Sequence, residues 1–259
     1  MEQLKFNFSG KTVIVTGAGQ GIGAAASRAF VEAGANVVLA DANEQRILSL
    51  KSELEGLPGA GRVLPVRTDV TSLEDIRNMV ERSTAEFGAI DILFNNAGIS
   101  RYHPVEDFPY EAWRAVMSVD LDGMFFVAQA VGRKMIERRK GKIINTASTS
   151  AFIINTSRQN AAYCVAKAGV VMMTKVLAIS WAKYNIEVNA IAPAYTRTPL
   201  IQSVLDDPKR REAIESRSPK KRVAETDEIV GAVLFLASDA SSYISGDCLK
   251  IDAGYSVGW

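Results

Sequence analysis

The chain has 259 residues, of which 47% are hydrophobic and 23% are charged, and its formal net charge is +1. This composition is typical of a globular protein with a full core, and the near-zero charge excludes an electrostatic footprint for nucleic acid or acidic lipid. Cys164 and Cys248 lack the spacing of a metal or redox motif, so we predict a reduced cytoplasmic protein without a metal site. Apolar runs are far shorter than the ~20 residues that span a bilayer, and the N-terminus is polar, so we predict no membrane segments.

Short β-rich runs alternate along the chain with longer helical patterns. Seven runs predict strands, at 12–16, 36–40, 62–66, 91–96, 142–147, 186–192 and 248–252. Each is apolar on both faces, as strands between two helix layers must be. Apolar residues at helical spacing, clearest in 73–87, predict the connecting helices. We therefore predict a single α/β domain over 1–259, with a Rossmann-type doubly wound seven-stranded parallel sheet and helices on both faces.

The first predicted strand runs into a glycine-rich turn, TGAGQGIG, which a helix follows. Gly17 permits the tight turn, Gly21 lets the backbone approach a phosphate, and Gly23 lets the helix pack on the strand. The helix N-terminus supplies free N–H groups and a positive dipole end for a pyrophosphate. The spacing is neither G-x-G-x-x-G nor a P-loop, but between strand and helix it predicts a dinucleotide site that also includes Gln20 and Ile22.

The second predicted strand ends in Asp41, eighteen residues after Gly23. A carboxylate there can accept hydrogen bonds from both hydroxyls of the adenine ribose and repel a 2′-phosphate. Alternatively, it caps the helix that begins nearby. Because the turn carries Gln20 and no basic residue, we predict NAD and not NADP as the cofactor.

Motifs after the later strands complete a known pattern. Asp69-Val70 follows the third strand, NNAG (95–98) the fourth, STS (148–150) the fifth and APAYTRTP (192–199) the sixth, while YCVAK (163–167) lies in a helix. With TGAGQGIG, and in this order, they resemble the classical short-chain dehydrogenase/reductase family over about residues 10–252. The resemblance implies hydride transfer between a nicotinamide cofactor and an alcohol or ketone. It implies further cofactor contacts from Asp69, Val70, Asn96, Ala97, Gly98, Tyr163, Lys167, Pro193, Thr196 and Thr198.

Tyr163 and Lys167 lie four residues apart, so a helix places them on one face, although such a pair alone is more commonly ordinary helix surface. A phenol is a poor base at neutral pH, and an ammonium within ~4–6 Å lowers its pKa. We predict Tyr163 as the acid/base and Lys167 as its activator and, by resemblance, a ligand of the nicotinamide ribose. Ser148 is predicted to orient the substrate oxygen. Ser150, thirteen residues before Tyr163 as is common in relatives, is the alternative.

One residue departs from the family pattern beside the lysine. Where the resemblance implies an asparagine that links the lysine to solvent through a bound water, SVDLDG has Asp120. A carboxylate accepts a hydrogen bond from that water but donates none unless protonated, and its charge adds to the field around Lys167. We predict that Asp120 keeps the relay role; the alternative is that it only bonds helix backbone at a local kink.

The segment 195–223 interrupts the alternation of strands and helices. It is polar, punctuated by proline and basic toward its end. Because it follows a strand at the edge where open α/β sheets bind ligands, we predict a mobile substrate lid and not merely a solvated surface excursion.

Substrate-pocket walls are predicted from 99–103, 150–160 and 194–195. They contain the polar residues Ser100, Ser150, Asn155, Gln159 and Asn160. These groups suit a sugar alcohol or sugar acid, and the resemblance leans toward polyol and gluconate dehydrogenases. The single histidine, His103, is predicted to be an exposed loop residue.

Two other functions stay open. One is 3-oxoacyl thioester reduction, against which Asp41 argues because that activity usually draws on NADPH. The other is a non-catalytic NAD-binding scaffold, against which the retained Tyr163 and Lys167 argue. The resemblance also implies a homotetramer assembled through the fourth and fifth helices of the alternation, with a small-molecule alcohol or ketone as the substrate.

Overall fold

The computed structural model describes residues 6–57, 61–154 and 160–257 and contains one parallel sheet. Its strands are β1 (Thr12–Thr16), β2 (Asn36–Asp41), β3 (Val63–Arg67), β4 (Ile92–Asn95), β5 (Gly141–Thr146), β6 (Ile186–Pro193) and β7 (Cys248–Ile251). Their order across the sheet is β3-β2-β1-β4-β5-β6-β7, and every neighbouring pair is parallel. All seven predicted strands are present, and the predicted fold class is confirmed.

Helices in the described ranges connect these strands. They are α1 (Gly21–Glu32), α2 (Glu44–Leu54), α3 (Leu73–Phe87), α4 (Tyr110–Met117), α5 (Met124–Arg138), α6 (Ala161–Trp181), α7 (Gln202–Leu205), α8 (Pro208–Arg217) and α9 (Asp227–Ala237). Helix α3 has the predicted bounds because Ser72 caps it, accepting the Asp75 N–H at 3.1 Å. A π-helical turn, Ser118–Gly123, joins α4 to α5 without a break.

Side chains of the strands point alternately into two helix layers. In β1, Val13 and Val15 pack in the layer formed with α1, α2 and α9, whereas Ile14 packs with α3, α5 and α6. This two-sided burial is the reason that the strands read as continuous apolar runs.

The strand order reverses beside β1, because β2 and β3 lie on one side of it and β4 to β7 on the other. Open α/β sheets bind ligands at this switch point, outside the carboxyl ends of the strands. Thr16 ties the two central strands together there. Its hydroxyl accepts the N–H groups of Asn96 at 2.9 Å and of Ala97 at 3.1 Å.

The excursion at 195–223 is folded on itself. It contains a 3₁₀ turn, Pro199–Ile201, followed by α7 and α8. Backbone hydrogen bonds close its base, from Ala224 N to Tyr195 O at 2.9 Å and from Arg197 N to Ala224 O at 2.8 Å. It has an apolar cluster of its own, formed by Ile201, Val204, Leu205, Ile214 and Val223.

Two helical stretches, Tyr110–Arg138 and Ala161–Tyr184, are long and apolar enough to cross a membrane by length and composition alone. Both bury one face in the core beneath the sheet, where Val131 and Leu177 belong to the same apolar cluster. Packing against the sheet therefore accounts for their apolar composition. The prediction of no membrane segments was based on continuous apolar runs, which are shorter than these two helices.

Candidate active site

A cleft of about 380 Å³ follows the carboxyl ends of β1 to β6. The predicted residues that line it are Gly17, Gln20, Gly21, Ile22, Asp41, Asp69, Val70, Asn96, Ala97, Gly98, Asp120, Ser148, Tyr163, Lys167, Pro193, Thr196 and Thr198. Gly23 is the predicted residue that does not line the cleft. A Cβ there would collide with the Gly17 carbonyl and approach Asn96 Nδ2 to 2.8 Å, so Gly23 serves the packing of α1 on β1.

The glycine turn forms a cradle that side chains would fill. Gly17 (φ +63°) and Gly21 (φ +56°) adopt left-handed backbone conformations, and a Cβ on Gly17 would lie 2.9 Å from Ala97 Cα. Helix α1 begins at Gly21, and its first turn has no side-chain cap. An open helix N-terminus beneath a side-chain-free turn fits the pyrophosphate of a dinucleotide. Thr198 covers the other side of Gly21, with its methyl group 3.1 Å from where a Cβ would lie.

Asp41 is held against the glycine turn at the end of the cleft where β2 stops. Its Oδ2 accepts the Gly19 N–H and its Oδ1 the Asn43 N–H, both at 2.9 Å. The cap of α2 is Asn43, which accepts the Arg46 N–H at 3.1 Å. The alternative role predicted for Asp41, capping α2, therefore belongs to Asn43.

Arg46 is a cleft residue that sequence reasoning missed. It lies in the first turn of α2 and lines the cleft together with Gln20 and Asp41. A Cβ on Gly19 would lie 2.8 Å from the Cβ of Arg46, which shows how closely α2 approaches the turn. The absence of a basic residue from the glycine turn therefore does not exclude a positive charge for a 2′-phosphate, because Arg46 on α2 lies beside the turn. Only the folded position of α2 reveals the cation.

The side chains of Asp69 and Asn96 are hydrogen-bonded to other groups of the protein. Asp69 Oδ1 accepts the N–H of Thr71 at 2.9 Å and its hydroxyl at 2.7 Å. Asn96 Nδ2 donates to Thr16 O at 3.1 Å, and Asn96 Oδ1 accepts the Thr146 hydroxyl at 3.2 Å. These bonds fix the loops after β3 and β4 at the cleft.

Tyr163 and Lys167 lie on the face of α6 that borders the cleft, with Lys167 Nζ 5.5 Å from the centroid of the Tyr163 ring. The two serines considered for catalysis differ in their contacts. The Ser148 side chain hydrogen-bonds Tyr163, whereas the Ser150 side chain hydrogen-bonds Cys164. Ser148 Oγ also accepts the Ser150 N–H at 3.1 Å, which fixes its position.

Asp120 forms a buried ion pair with Lys167. Its Oδ2 lies 3.1 Å from Nζ, and the side chains are 0% and 2% exposed, respectively. Its Oδ1 accepts the Ile99 N–H at 2.8 Å, and Lys167 Nζ donates to Thr146 O at 2.9 Å. Among the described residues, Lys167 Nζ is the single polar partner of Asp120 Oδ2. The carboxylate lies in the π-helical turn, but its contacts are with Ile99 and Lys167 outside its own helix.

Burial and charge set the protonation of these groups. Burial raises the pKa of the Asp120 carboxyl above its ordinary value, and the charge of Lys167 opposes that rise. Burial also raises the pKa of Tyr163, the charge of Asp120 raises it further, and the hydrogen bond with Ser148 lowers it. The phenol of the ligand-free protein is therefore an acid and not a base at neutral pH.

The substrate end of the cleft mixes polar and apolar side chains. Its walls include Ile99, Ser100, Tyr102, Ser150, Ile153, Asn160, Ala194, Tyr195 and Tyr255. Ser100 Oγ is buried there without a hydrogen-bond partner among the described residues. Asn155 and Gln159 lie outside the described residues. His103 does not line the cleft, and its ring lies 5.3 Å from that of Phe108.

Tyr255 is another wall residue that the sequence did not predict. It comes from the segment after β7 and lies edge-on to Tyr195, with their ring centroids 5.8 Å apart. No motif marks it, because it reaches the cleft only through the path of the C-terminal segment. Within the described ranges, no group of three or more His, Cys, Asp or Glu side chains could hold a metal ion.

Comparisons with known proteins extend these observations. Residues 17–256 match a family model described as enoyl-(acyl carrier protein) reductase. The chain is 40% identical to 3-oxoacyl-[acyl-carrier-protein] reductase from Thermotoga maritima, over 96% of this chain and 98% of the relative. It is 39% identical to D-threitol dehydrogenase from Mycolicibacterium smegmatis, over 97% and 95%. It is 36% identical to gluconate 5-dehydrogenase from Gluconobacter oxydans, over 97% of both chains.

Solved structures agree with the relatives. A short-chain type dehydrogenase/reductase from Mycobacterium marinum superposes with a TM-score of 0.93 at 38% identity, covering 98% of both chains. A gluconate 5-dehydrogenase from Burkholderia cenocepacia, in complex with NADP and tartrate, gives a TM-score of 0.92 at 38% identity, also over 98% of both chains.

Proposed function

The chain belongs to the classical short-chain dehydrogenase/reductase family of oxidoreductases, and we propose that it interconverts a secondary alcohol and a ketone with NAD as the cofactor. The observation that carries the proposal is the meeting of Ser148, Tyr163 and Lys167 in the same cleft as the glycine turn. When bound, the nicotinamide supplies or accepts the hydride. The cradle at Gly17 and Gly21 and the open N-terminus of α1 would hold its pyrophosphate.

The residues of the chain handle the proton in this reaction. In reduction, Tyr163 donates its hydroxyl proton to the oxygen that develops negative charge, and in oxidation the phenolate removes the hydroxyl proton of the alcohol. Ser148, which hydrogen-bonds Tyr163, orients the same substrate oxygen. Lys167 stabilises the phenolate by its charge and holds the cofactor ribose, and Asp120 is part of the proton relay behind it.

A small polar substrate, a sugar alcohol or sugar acid, is supported by two observations. Ser100, Ser150 and Asn160 put polar groups into the substrate end, and the Ser100 hydroxyl has no hydrogen-bond partner among the described residues. Two relatives are named for D-threitol and for gluconate. A screen that follows NADH absorbance with polyols, aldonates, simple secondary alcohols and acetoacetyl thioesters tests this proposal, with Tyr163→Phe as the inactive control.

The Thermotoga maritima relative favours a second candidate, 3-oxoacyl thioester reduction. The screen separates the two, because an acyl-thioester reductase turns over acetoacetyl thioester far faster than any polyol. No detectable activity with any substrate, together with tight NADH binding, would support the third alternative, a non-catalytic scaffold.

The preference for NAD over NADP is supported by Asp41, whose carboxylate lies at the turn. Arg46 supplies an opposing positive charge in the same part of the cleft, and one relative was solved with NADP. Asp41 binds the turn directly, through the Gly19 N–H at 2.9 Å, so NAD remains the proposed cofactor. A kcat/KM with NADP above that with NAD contradicts this assignment.

A homotetramer is supported by an apolar helix face. Helices α5 and α6 expose Phe125, Phe126, Val165, Met172, Val176 and Ile179. Light scattering of the wild type and of Ile179→Asp, whose side chain is 82% exposed in the chain alone, tests this assembly. A wild-type monomer contradicts it.

Two further proposals follow from position and composition. The segment 195–223 is proposed to act as the substrate lid, because Tyr195, Thr198 and Leu200 line the cleft at its edge. Protease protection of this segment by NADH together with substrate tests the role.

A cytoplasmic location is proposed from the two free cysteines, Cys164 and Cys248.

A further inference from the structure

Among the described residues, Tyr163 has one strongly basic neighbour, Lys167, and the structure gives that neighbour its own counter-ion. Lys167 Nζ lies 5.5 Å from the Tyr163 ring centroid and 3.1 Å from Asp120 Oδ2. Ammonium and carboxylate are both buried, so solvent screens neither charge. The pair is neutral as a unit, so the Asp120 carboxylate offsets part of the field by which Lys167 favours a phenolate.

Within the part of the chain that the structure describes, the other titratable groups that act on Tyr163 add no positive charge. They are Cys164 from α6, Tyr102 from the loop after β4, and Asp120 from the π-helical turn. Ser148, after β5, contributes a hydrogen bond and no charge. Every charged form that these three groups can adopt is an anion, and an anion favours the protonated phenol.

We propose that Asp120 holds Tyr163 protonated by default, and thereby sets the pH above which alcohol oxidation proceeds. This inference rests on the proposed function and adds an electrostatic control to it. Phenolate formation, which alcohol oxidation requires, then depends on an additional positive charge in the cleft. Oxidised nicotinamide carries such a charge, and the reduced form does not. Asp120 acts through Lys167 and the field around it, so it is a positioning residue.

The distances bound the size of the effect. Nζ lies 3.1 Å from the carboxylate and 5.5 Å from the ring, so the carboxylate and the ring are at most about 9 Å apart. Two unit charges at that distance, at an effective dielectric constant of about 20, shift an ionisation by about one pH unit. Removal of the Asp120 charge should therefore lower the pH at which the alcohol-oxidation rate rises by about one unit.

Asp120→Asn is the matched perturbation, because an amide keeps an oxygen for the Ile99 N–H and loses only the charge. Asp122→Asn is the control. Asp122 lies in the same turn, but its carboxylate is 48% exposed and pairs with Arg114 on the surface. The readout is ultraviolet titration of tyrosinate, with a Tyr163→Phe sample subtracted to remove the other tyrosines.

Titrations are run on the ligand-free protein, with ADP-ribose and with NAD. ADP-ribose occupies a dinucleotide site without bringing the nicotinamide charge. In the wild type, Tyr163 ionisation should move to lower pH with NAD but not with ADP-ribose. In Asp120→Asn, Tyr163 should ionise about one pH unit lower than in the wild type under each of the three conditions. In Asp122→Asn, it should ionise at the same pH as in the wild type.

Equal titrations of Asp120→Asn and wild type overturn the inference. If Asp120→Asn does not fold, Asp120→Ser and the comparison of NAD with ADP-ribose in the wild type carry the test. Failure of both nucleotides to bind contradicts the proposed function, while the ligand-free titration still tests Asp120. A shifted titration with an unchanged pH profile of alcohol oxidation contradicts the link between Asp120 and catalysis alone.

Discussion

Replacement of Lys167 by methionine should destabilise the fold chiefly through the carboxylate that it leaves behind. Asp120 is 0% exposed, and without the ammonium only the Ile99 N–H, at 2.8 Å, supports its charge. At the observed separation of 3.1 Å and an effective dielectric constant of about 20, the lost attraction is about 5 kcal/mol. Breaking a buried pair by removing one partner costs about 3–5 kcal/mol, because the other charge stays buried and unpaired. We expect a loss in that range near pH 8.

The pH dependence of this loss has a definite sign. Burial raises the pKa of Asp120 in the folded protein, and removal of Lys167, which lowers it, raises it further. A carboxyl group whose pKa is higher in the folded than in the unfolded protein lowers the free energy of unfolding at every pH where the unfolded chain is ionised. At such a pH the folded protein must either keep the group protonated or bury its charge. The penalty is absent below the unfolded pKa of about 4, grows as pH rises toward the folded pKa, and is constant above it. The loss in Lys167→Met should therefore be smaller at pH 5 than at pH 8.

This effect is measured by urea unfolding of four proteins: the wild type, Lys167→Met, the double variant Asp120→Asn/Lys167→Met, and Lys175→Met. Lys175 lies on the same helix but is exposed, so its replacement should change the free energy of unfolding by no more than about 0.5 kcal/mol. The double variant should regain most of the loss, because it removes the unpaired charge. The reasoning fails if Lys167→Met is no less stable than Lys175→Met, or if the double variant is as unstable as Lys167→Met.

Four further predictions follow from the structure. Ser148→Ala should lower kcat by about 10² and Ser150→Ala by only a few-fold; the reverse order in steady-state kinetics would exchange their roles. Arg46→Ala should weaken NADP binding about tenfold and NAD binding less than twofold in fluorescence titrations, and equal losses contradict a contact with the 2′-phosphate. Ser100→Ala should raise KM for a polyol about tenfold but leave KM for a simple secondary alcohol unchanged, and parallel changes would place Ser100 outside substrate recognition. Ala253 has φ +52°, so Ala253→Gly should raise the free energy of unfolding by about 1 kcal/mol in urea, and a loss would argue against backbone strain there.

The features that the sequence predicted are those with a local physical cause. A strand buried on both faces has to be apolar throughout, so all seven strands were visible as runs. The bounds of α3 followed from apolar spacing, and Ser72 stands at its start as a cap. The position of the glycine turn between the first strand and the first helix likewise predicted a dinucleotide site at that end of the sheet.

Features that depend on how separate segments meet could not be predicted. The contact between Asp120 and Lys167 joins a helical turn and another helix, and no periodicity reports a separation of 3.1 Å. Arg46 and Tyr255 reach the cleft only because α2 and the C-terminal segment fold back toward it. The helices of the excursion were hidden because most of their side chains are polar, and their few apolar residues pack on one another.

The excursion is attached to the rest of the fold at a narrow base, where the strand-like segment at 195–197 pairs with Ala224. Its helices α7 and α8 pack mainly on each other, so it contributes little to the two apolar layers that hold the sheet. Loop insertions of this kind change folding free energy only weakly with length. The helical part of the excursion is thus physically separable from the sheet, whereas Thr196 and Thr198 at its base line the cleft beside the glycine turn. A hybrid that carries only the corresponding helices of a relative, with Thr196 and Thr198 kept, is a practical route to a new substrate range.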